Sequence, residues 1–271
     1  MRSFLFFAAT VLCAASAHAQ THAPLPAVKH KQVVIAHRGD HVSYPENTLE
    51  AYKSAILQGV DYIETDLRTT KDSGQVIMHS ESVDGMTSGK GQISELSYDY
   101  VHNLNITDAV HHKKYKVPCL KEVLLLCRDK VNIYLDFKAA DVNVTWRMIV
   151  AFHMENHVVV YANTLDQFKE WRRIAPAMPL IMSVPENVKD VTALKAFLDE
   201  YPVSAVDGAI GQYSPEMLAL LKSRNVAVWL DVQDQNEGPA TWSQALSEGV
   251  PGMQTDHPAA LTHYLTQQHA R

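Results

Sequence analysis

The sequence predicts an α/β fold, a (β/α)8 barrel (TIM barrel) with a small insertion between its second and third strands, and two observations carry that prediction. Eight short, nearly continuous apolar runs alternate with segments of helical character along 271 residues. Strands of that kind belong to a parallel sheet covered on both faces, and eight of them suit closure into a barrel. The second observation is size: with 46% hydrophobic residues the chain can fill one core of about 250 residues, the usual extent of such a barrel.

Residues 1–19 carry processing information ahead of the fold. Arg2 supplies a positive start, Phe4 to Ala15 is an apolar run too short for a stop-transfer helix, and Ala17-His18-Ala19 is a small-x-small cleavage pattern. The expectation is a signal peptide over 1–19 and an exported domain over 20–271, periplasmic or secreted, with no transmembrane segment. Thr10-Val11-Leu12 before Cys13 lacks the small residues of a lipoprotein box.

The first strand, Val33 to Ile35, leads into His37. Asn47 followed by Glu50 predicts a capping box, Tyr52, Ala55 and Ile56 form one helix face, and Gly59 marks the stop. The loop from His37 to Glu46 therefore lies at the C-terminal face, where barrel active sites are built. The second strand, Tyr62 to Leu67, puts Glu64 and Asp66 on one face. Gln75 to Met78 follows too closely for a crossover helix, so it is expected to be an excursion that carries His79 back over the mouth.

Residues 80–118 form the insertion, turn-rich at Asp84-Gly85 and Ser88 to Gly91 and helical from Leu96 to Leu104. A helix from Leu120 to Leu126 would hold Cys119 and Cys127 about 12 Å apart. A disulfide needs less than ~7 Å, so two free buried thiols are expected. The third strand, Val131 to Phe137, runs into Lys138. The remaining strands are Val158 to Tyr161, Leu180 to Ser183, Ala205 to Ala209, Val226 to Asp231 and Gly252 to Thr255, and seven of the eight gaps hold a helical pattern.

Two carboxylates pointing inward at a strand end cannot remain unpaired in an apolar interior. A bound cation resolves the conflict for Glu64 and Asp66; ion pairs with Lys138 and Arg38 are the alternative. The net charge of −6 and the absence of a basic block exclude a nucleic-acid footprint. Of the 14 histidines, His102, His111, His112, His153, His263 and His269 read as surface or core residues.

The run from His37 to Ser80, with its HRG, PENT and Glu64-Thr65-Asp66 motifs, resembles the N-terminal signature of the glycerophosphodiester phosphodiesterase family, and the similarity continues through IYLDFK, VAVWLD and GMQTDHP. The resemblance implies a metal-dependent phosphodiesterase releasing glycerol 3-phosphate and an alcohol from a small-molecule glycerophosphodiester, with a lysophospholipid as the substrate of its lipid-active relatives. It implies His37 and His79 as the acid and base, Arg38 and Lys138 as phosphate ligands or counterions, and Glu64, Asp66 and Asp136 as ligands of one divalent cation, Ca2+ or Mg2+. Trp229 would pack on the glycerol moiety or fill the barrel.

Three departures stand out. Asp136 occupies a position where the family usually has glutamate, Ser80 follows the second histidine in place of aspartate, and Trp229-Leu230-Asp231-Val232 replaces the usual Trp-Thr-Val-Asn. A lipid-active relative of the sphingomyelinase D or lysophospholipase D type is one rival, recognisable by an exposed apolar patch at Met86, Leu96 and Tyr98. A catalytically silent binding barrel is the other.

Overall fold

A computed structural model of the chain describes residues 22–108 and 113–271. The expected signal peptide with Cys13, and His111 and His112, lie outside the described residues.

The chain opens with β1 (Val33–Ala36), α1 (Leu49–Leu57), β2 (Tyr62–Thr69) and β3 (Gln75–Ile77). The insertion holds a single 3-10 turn at Ile93–Glu95, α2 (Tyr98–Asn103), β4 (Asn105–Thr107) and β5 (Lys114–Lys116), and α3 (Leu120–Cys127) returns to the barrel. Strand and helix then alternate: β6 (Asn132–Ala139), α4 (Val142–Ala151), β7 (Val158–Ala162), α5 (Leu165–Ile174), β8 (Leu180–Met182), α6 (Val191–Glu200), β9 (Ala205–Gly208) and α7 (Pro215–Ser223). The order closes with β10 (Ala227–Asp231), α8 (Pro239–Ser247), β11 (Gly252–Thr255) and α9 (Pro258–Gln267). Parallel pairing of β1 with both β2 and β11 closes the eight-stranded barrel, and β3 hangs antiparallel on β2. The barrel and its excursion are those the sequence predicts.

Alternation along the strands sorts the core. Val34, Ile63, Ile133, Val160 and Val206 face the helices. Val33, Ile35, Tyr62, Tyr134, Val159, Ile181, Ala205 and Trp229 fill the interior. Residues 22–31 run beneath the barrel: Tyr62 donates to the carbonyl of Pro26 at 3.2 Å, Asn132 to Ala27 at 2.8 Å and Ser204 to Ala23 at 2.7 Å. The N-terminal end is thereby covered by these residues, and the opposite mouth carries the inward-facing polar residues Glu64, Asp66 and Asp136.

The insertion has its own small core of Val83, Ile93, Val101, Leu104, Ile106, Tyr115 and Val117, anchored on Val76 and Met78. Its two-stranded sheet of β4 and β5 carries no strong signal in the sequence, because three-residue strands are too short to show a period. Cys119 and Cys127 are buried free thiols at the two ends of α3, as expected.

One local expectation is corrected. Thr48, not Asn47, caps α1, its hydroxyl accepting the amide of Ala51 at 3.1 Å. Asn47 instead adopts φ 57° and sends its side chain toward the barrel. Both residue types are good N-caps, so the sequence alone does not separate them.

Candidate active site

β2 delivers the centre of the site. Glu64 and Asp66 are 2% and 1% exposed, and across the β2–β6 ladder Asp66 lies directly beside Asp136. Donor oxygens of Glu64, Asp66 and Asp136 all fall within 4.8 Å of one another. Burial first, then the charges of Asp66 and Asp136, push the Glu64 carboxyl well above the ordinary carboxylate range. Burial raises Asp136 as well, against the pull of Lys138 and Asn163. Three crowded, desolvated oxygen donors suit a hard divalent cation, which relieves the repulsion that burial amplifies.

Cationic side chains complete this half of the mouth. Between Asp66 and Arg68 the ladder with β6 slips by one residue. Beside it, Lys138 lies 2.6 Å from Asp136 and 3.5 Å from Asp66. Arg38 donates to Glu46 at 2.8 Å while its Nε faces Asp66 at 3.5 Å. Burial opposes the Lys138 charge, but Asp136 and Asp66 hold its pKa above the ordinary lysine value.

The loop after β1 is shaped by backbone as much as by side chains. Arg38 and Gly39 both take positive φ, 53° and 82°. That turn lets the Arg38 amide donate to Glu64 at 2.7 Å. A Cβ on Gly39 would stand 2.8 Å from the Ala51 carbonyl carbon, so only glycine fits. Asn47 donates to Asp66 at 2.7 Å and accepts from the buried Tyr52 hydroxyl at 2.7 Å, tying loop, α1 and β2 together.

The two predicted histidines arrive from opposite sides. His79 follows β3, and Arg68 grips its carbonyl with two donors at 3.0 and 2.7 Å. Burial, more than any neighbour, lowers the His79 pKa; Asp66 opposes this, while Arg38 and Lys138 add to it. His37, at the end of β1, is bonded through Nδ1 to Asp256 at 2.7 Å, which leaves Nε2 as its free nitrogen. Asp256 is also bonded to His41 at 2.9 Å, and these hydrogen bonds hold its carboxyl far below the usual range although burial works against them.

The structure thus brings His37, Arg38, Glu64, Asp66, His79, Asp136 and Lys138 to one mouth. Trp229 lies deeper, 3% exposed, with ring centroids 5.0 Å from Tyr62 and 6.1 Å from Tyr134, so it fills the barrel. Sequence reading took Asn47 for a helix cap and passed over Asp256, His41 and Asn163, the last donating to Asp136 at 2.7 Å. It also passed over Asp207 and Asp231 across the barrel. Burial raises Asp207, and burial with the nearby Asp207 charge lifts Asp231 to about 7. The period-2 rule that singled out Glu64 and Asp66 also marks Asp207 and Asp231 as inward-facing.

Residues 37–260 match the model of the glycerophosphoryl diester phosphodiesterase family. A glycerophosphodiester phosphodiesterase of Caldanaerobacter subterraneus is 27% identical over 242 residues, 85% of this chain and 96% of its own. Among solved structures, a phosphodiesterase from Oleispira antarctica in complex with the product sn-glycerol-3-phosphate superposes with a TM-score of 0.70 at 17% identity, covering 88% of this chain and 97% of its own. A glycerophosphodiester phosphodiesterase structure from Agrobacterium tumefaciens reaches 0.76 at 20% identity, covering 85% of this chain and 99% of its own.

Proposed function

Because the chain belongs to the glycerophosphoryl diester phosphodiesterase family, we propose that it hydrolyses small glycerophosphodiesters to glycerol 3-phosphate and an alcohol, with one divalent cation, Ca2+ or Mg2+, held by Glu64, Asp66 and Asp136. The observation that carries this reading is the gathering of three carboxylates, two cationic side chains and two histidines at one barrel mouth. The bound cation supplies positive charge to the phosphate oxygens. Arg38 and Lys138 take further phosphate oxygens, Arg38 as a planar fork and Lys138 as a point charge. His79, kept neutral by burial, suits acceptance of a proton from the attacking hydroxyl. His37, oriented by Asp256, gives a proton to the leaving alcohol. A neighbouring glycerol hydroxyl is the favoured nucleophile, since internal attack needs no second molecule to be captured; it releases the alcohol and leaves a cyclic phosphate that water then opens to glycerol 3-phosphate.

The insertion supports the small-molecule reading over the lipid one. Leu96 and Tyr98 pack against the insertion core and Met86 is half-buried, so these three form no exposed apolar patch. Phosphorus NMR on glycerophosphocholine, glycerophosphoethanolamine and lysophosphatidylcholine, with each ion and with chelator, tests the proposal. Ion-dependent glycerol 3-phosphate from the first two supports it, and turnover of the lysolipid alone refutes it. The leader pattern in residues 1–19 supports export of the enzyme, for which mature protein beginning at Gln20 outside the cytoplasm is the test.

A further inference from the structure

We propose that His37, His41 and Asp256 form a second metal site at the barrel mouth, suited to a borderline transition ion such as zinc, whose occupation arrests turnover. His37 Nδ1 and His41 Nε2 converge on the same oxygen, Asp256 Oδ1, at 2.7 and 2.9 Å. Donor atoms of the three residues lie within 4.8 Å of one another. The imidazoles meet edge to face, 83° apart with centroids at 5.9 Å, and the position that their nitrogens share is the one beside Asp256 Oδ1. Side chains of His37, His41 and Asp256 are 20%, 25% and 28% exposed, which gives an ion a path from solution.

Two imidazoles and one carboxylate are the donors of an open zinc site, with water as the fourth ligand. The same set is poor for calcium or magnesium, which take oxygen. The two sites therefore divide ions by softness: Glu64, Asp66 and Asp136 hold the hard ion, and the histidine pair takes the softer one. Asp256 is braced from outside, its backbone amide donating to Glu237 at 2.9 Å while the neighbouring Thr255 hydroxyl donates to the same carboxylate.

Binding exchanges ring protons for metal bonds. Each ring gives the ion the lone pair of the nitrogen that faces Asp256, and the proton on that nitrogen passes through solvent to the ring's other nitrogen, or to water where that nitrogen already carries one. With metal on Nδ1 and hydrogen on Nε2, the His37 ring can no longer cycle between one and two protons. Arrest of turnover rests on the acid–base role proposed for His37, whereas the binding itself does not.

Cobalt is the probe, because four-coordinate cobalt absorbs strongly in the visible and octahedral cobalt on oxygen ligands only faintly. The native chain should take one Co2+ with intense bands that excess Ca2+ or Mg2+ leaves in place. His41→Ala should lose those bands, His41→Cys should recover them with an added sulfur charge-transfer absorption, and Glu64→Gln should keep them. Faint bands alone, or bands lost in Glu64→Gln and kept in His41→Ala, overturn the site. Each variant's rate with micromolar zinc is then divided by its own rate without it. A loss of about tenfold in the native enzyme and under about twofold in His41→Ala is expected, in line with what removal of one anchoring group does to a metal site. Equal losses in both overturn the arrest. If none of the diesters is turned over, the spectra still decide whether the site exists.

Discussion

At the scale of single residues, the mouth divides its work between groups that move protons and groups that hold charge. His37→Ala and His79→Ala should each lower turnover by ~10² to 10⁴, with unfolding midpoints near the native value, because both rings are partly exposed and neither supports the core. Near-native turnover by either purified variant removes that residue from the reaction. Asp136 permits a sharper question. Its two oxygens are spoken for by Lys138 at 2.6 Å and Asn163 at 2.7 Å, so Asp136→Glu must either break those bonds or shift the donor oxygen into a site that tolerates only ~0.5 Å. We expect Asp136→Glu to change the ratio of rates with magnesium and with calcium, since magnesium demands near-octahedral ligands. Identical ion profiles for the two proteins would mean the shorter side chain has no bearing on the cation.

At the scale of elements, the loop between β1 and α1 is the part most exposed to small changes. It folds back at Gly39, where φ is 82° and a Cβ would meet the α1 backbone at Ala51. Gly39→Ala should therefore cost on the order of 2 to 4 kcal/mol in chemical denaturation, adding left-handed strain to an overpacked contact. It should also depress turnover in the fraction that remains folded, because the same turn aims the Arg38 amide at Glu64. A variant as stable and as active as the native chain would show that the loop has room to relax. The strand alternation that turns Glu64 and Asp66 to one face was legible in the sequence. The cap of α1 was not, because Asn47 and Thr48 are equally good candidates until the chain direction at the loop is known.

At the scale of the whole molecule, the barrel encloses charge, and that enclosure is visible in pH dependence. Asp231, across the barrel from the cation ligands, titrates at about 7 because it is buried and faces Asp207. An unfolded aspartate titrates near 4. Between those values the folded chain binds the extra proton, so this group favours folding at low pH and its contribution fades as pH rises toward 7. Asp231→Asn should consequently raise stability at pH 8 by on the order of 1 to 3 kcal/mol and leave it almost unchanged near pH 4. Denaturant melts at the two pH values check this. A gain of equal size at both would point to altered packing and not to charge.

By itself the sequence determined the barrel and the excursion that carries His79, which depend on local order, a period of two along strands and a helix between them, while His37, Arg38, Glu64, Asp66, Asp136 and Lys138 stood out as candidates through motifs that resemble those of one family. Tertiary structure alone decided what joins residues far apart in the chain. Asp256 reaches His37 and His41 only because β11 pairs with β1 when the barrel closes, and Asn163 reaches Asp136 only through the β6–β7 ladder. Trp229 likewise reads as a ligand contact or a barrel filler until closure packs it against Tyr62 and Tyr134. Periodicity reports which way a side chain points, whereas its partner is set by register between strands, and register is a property of the closed sheet.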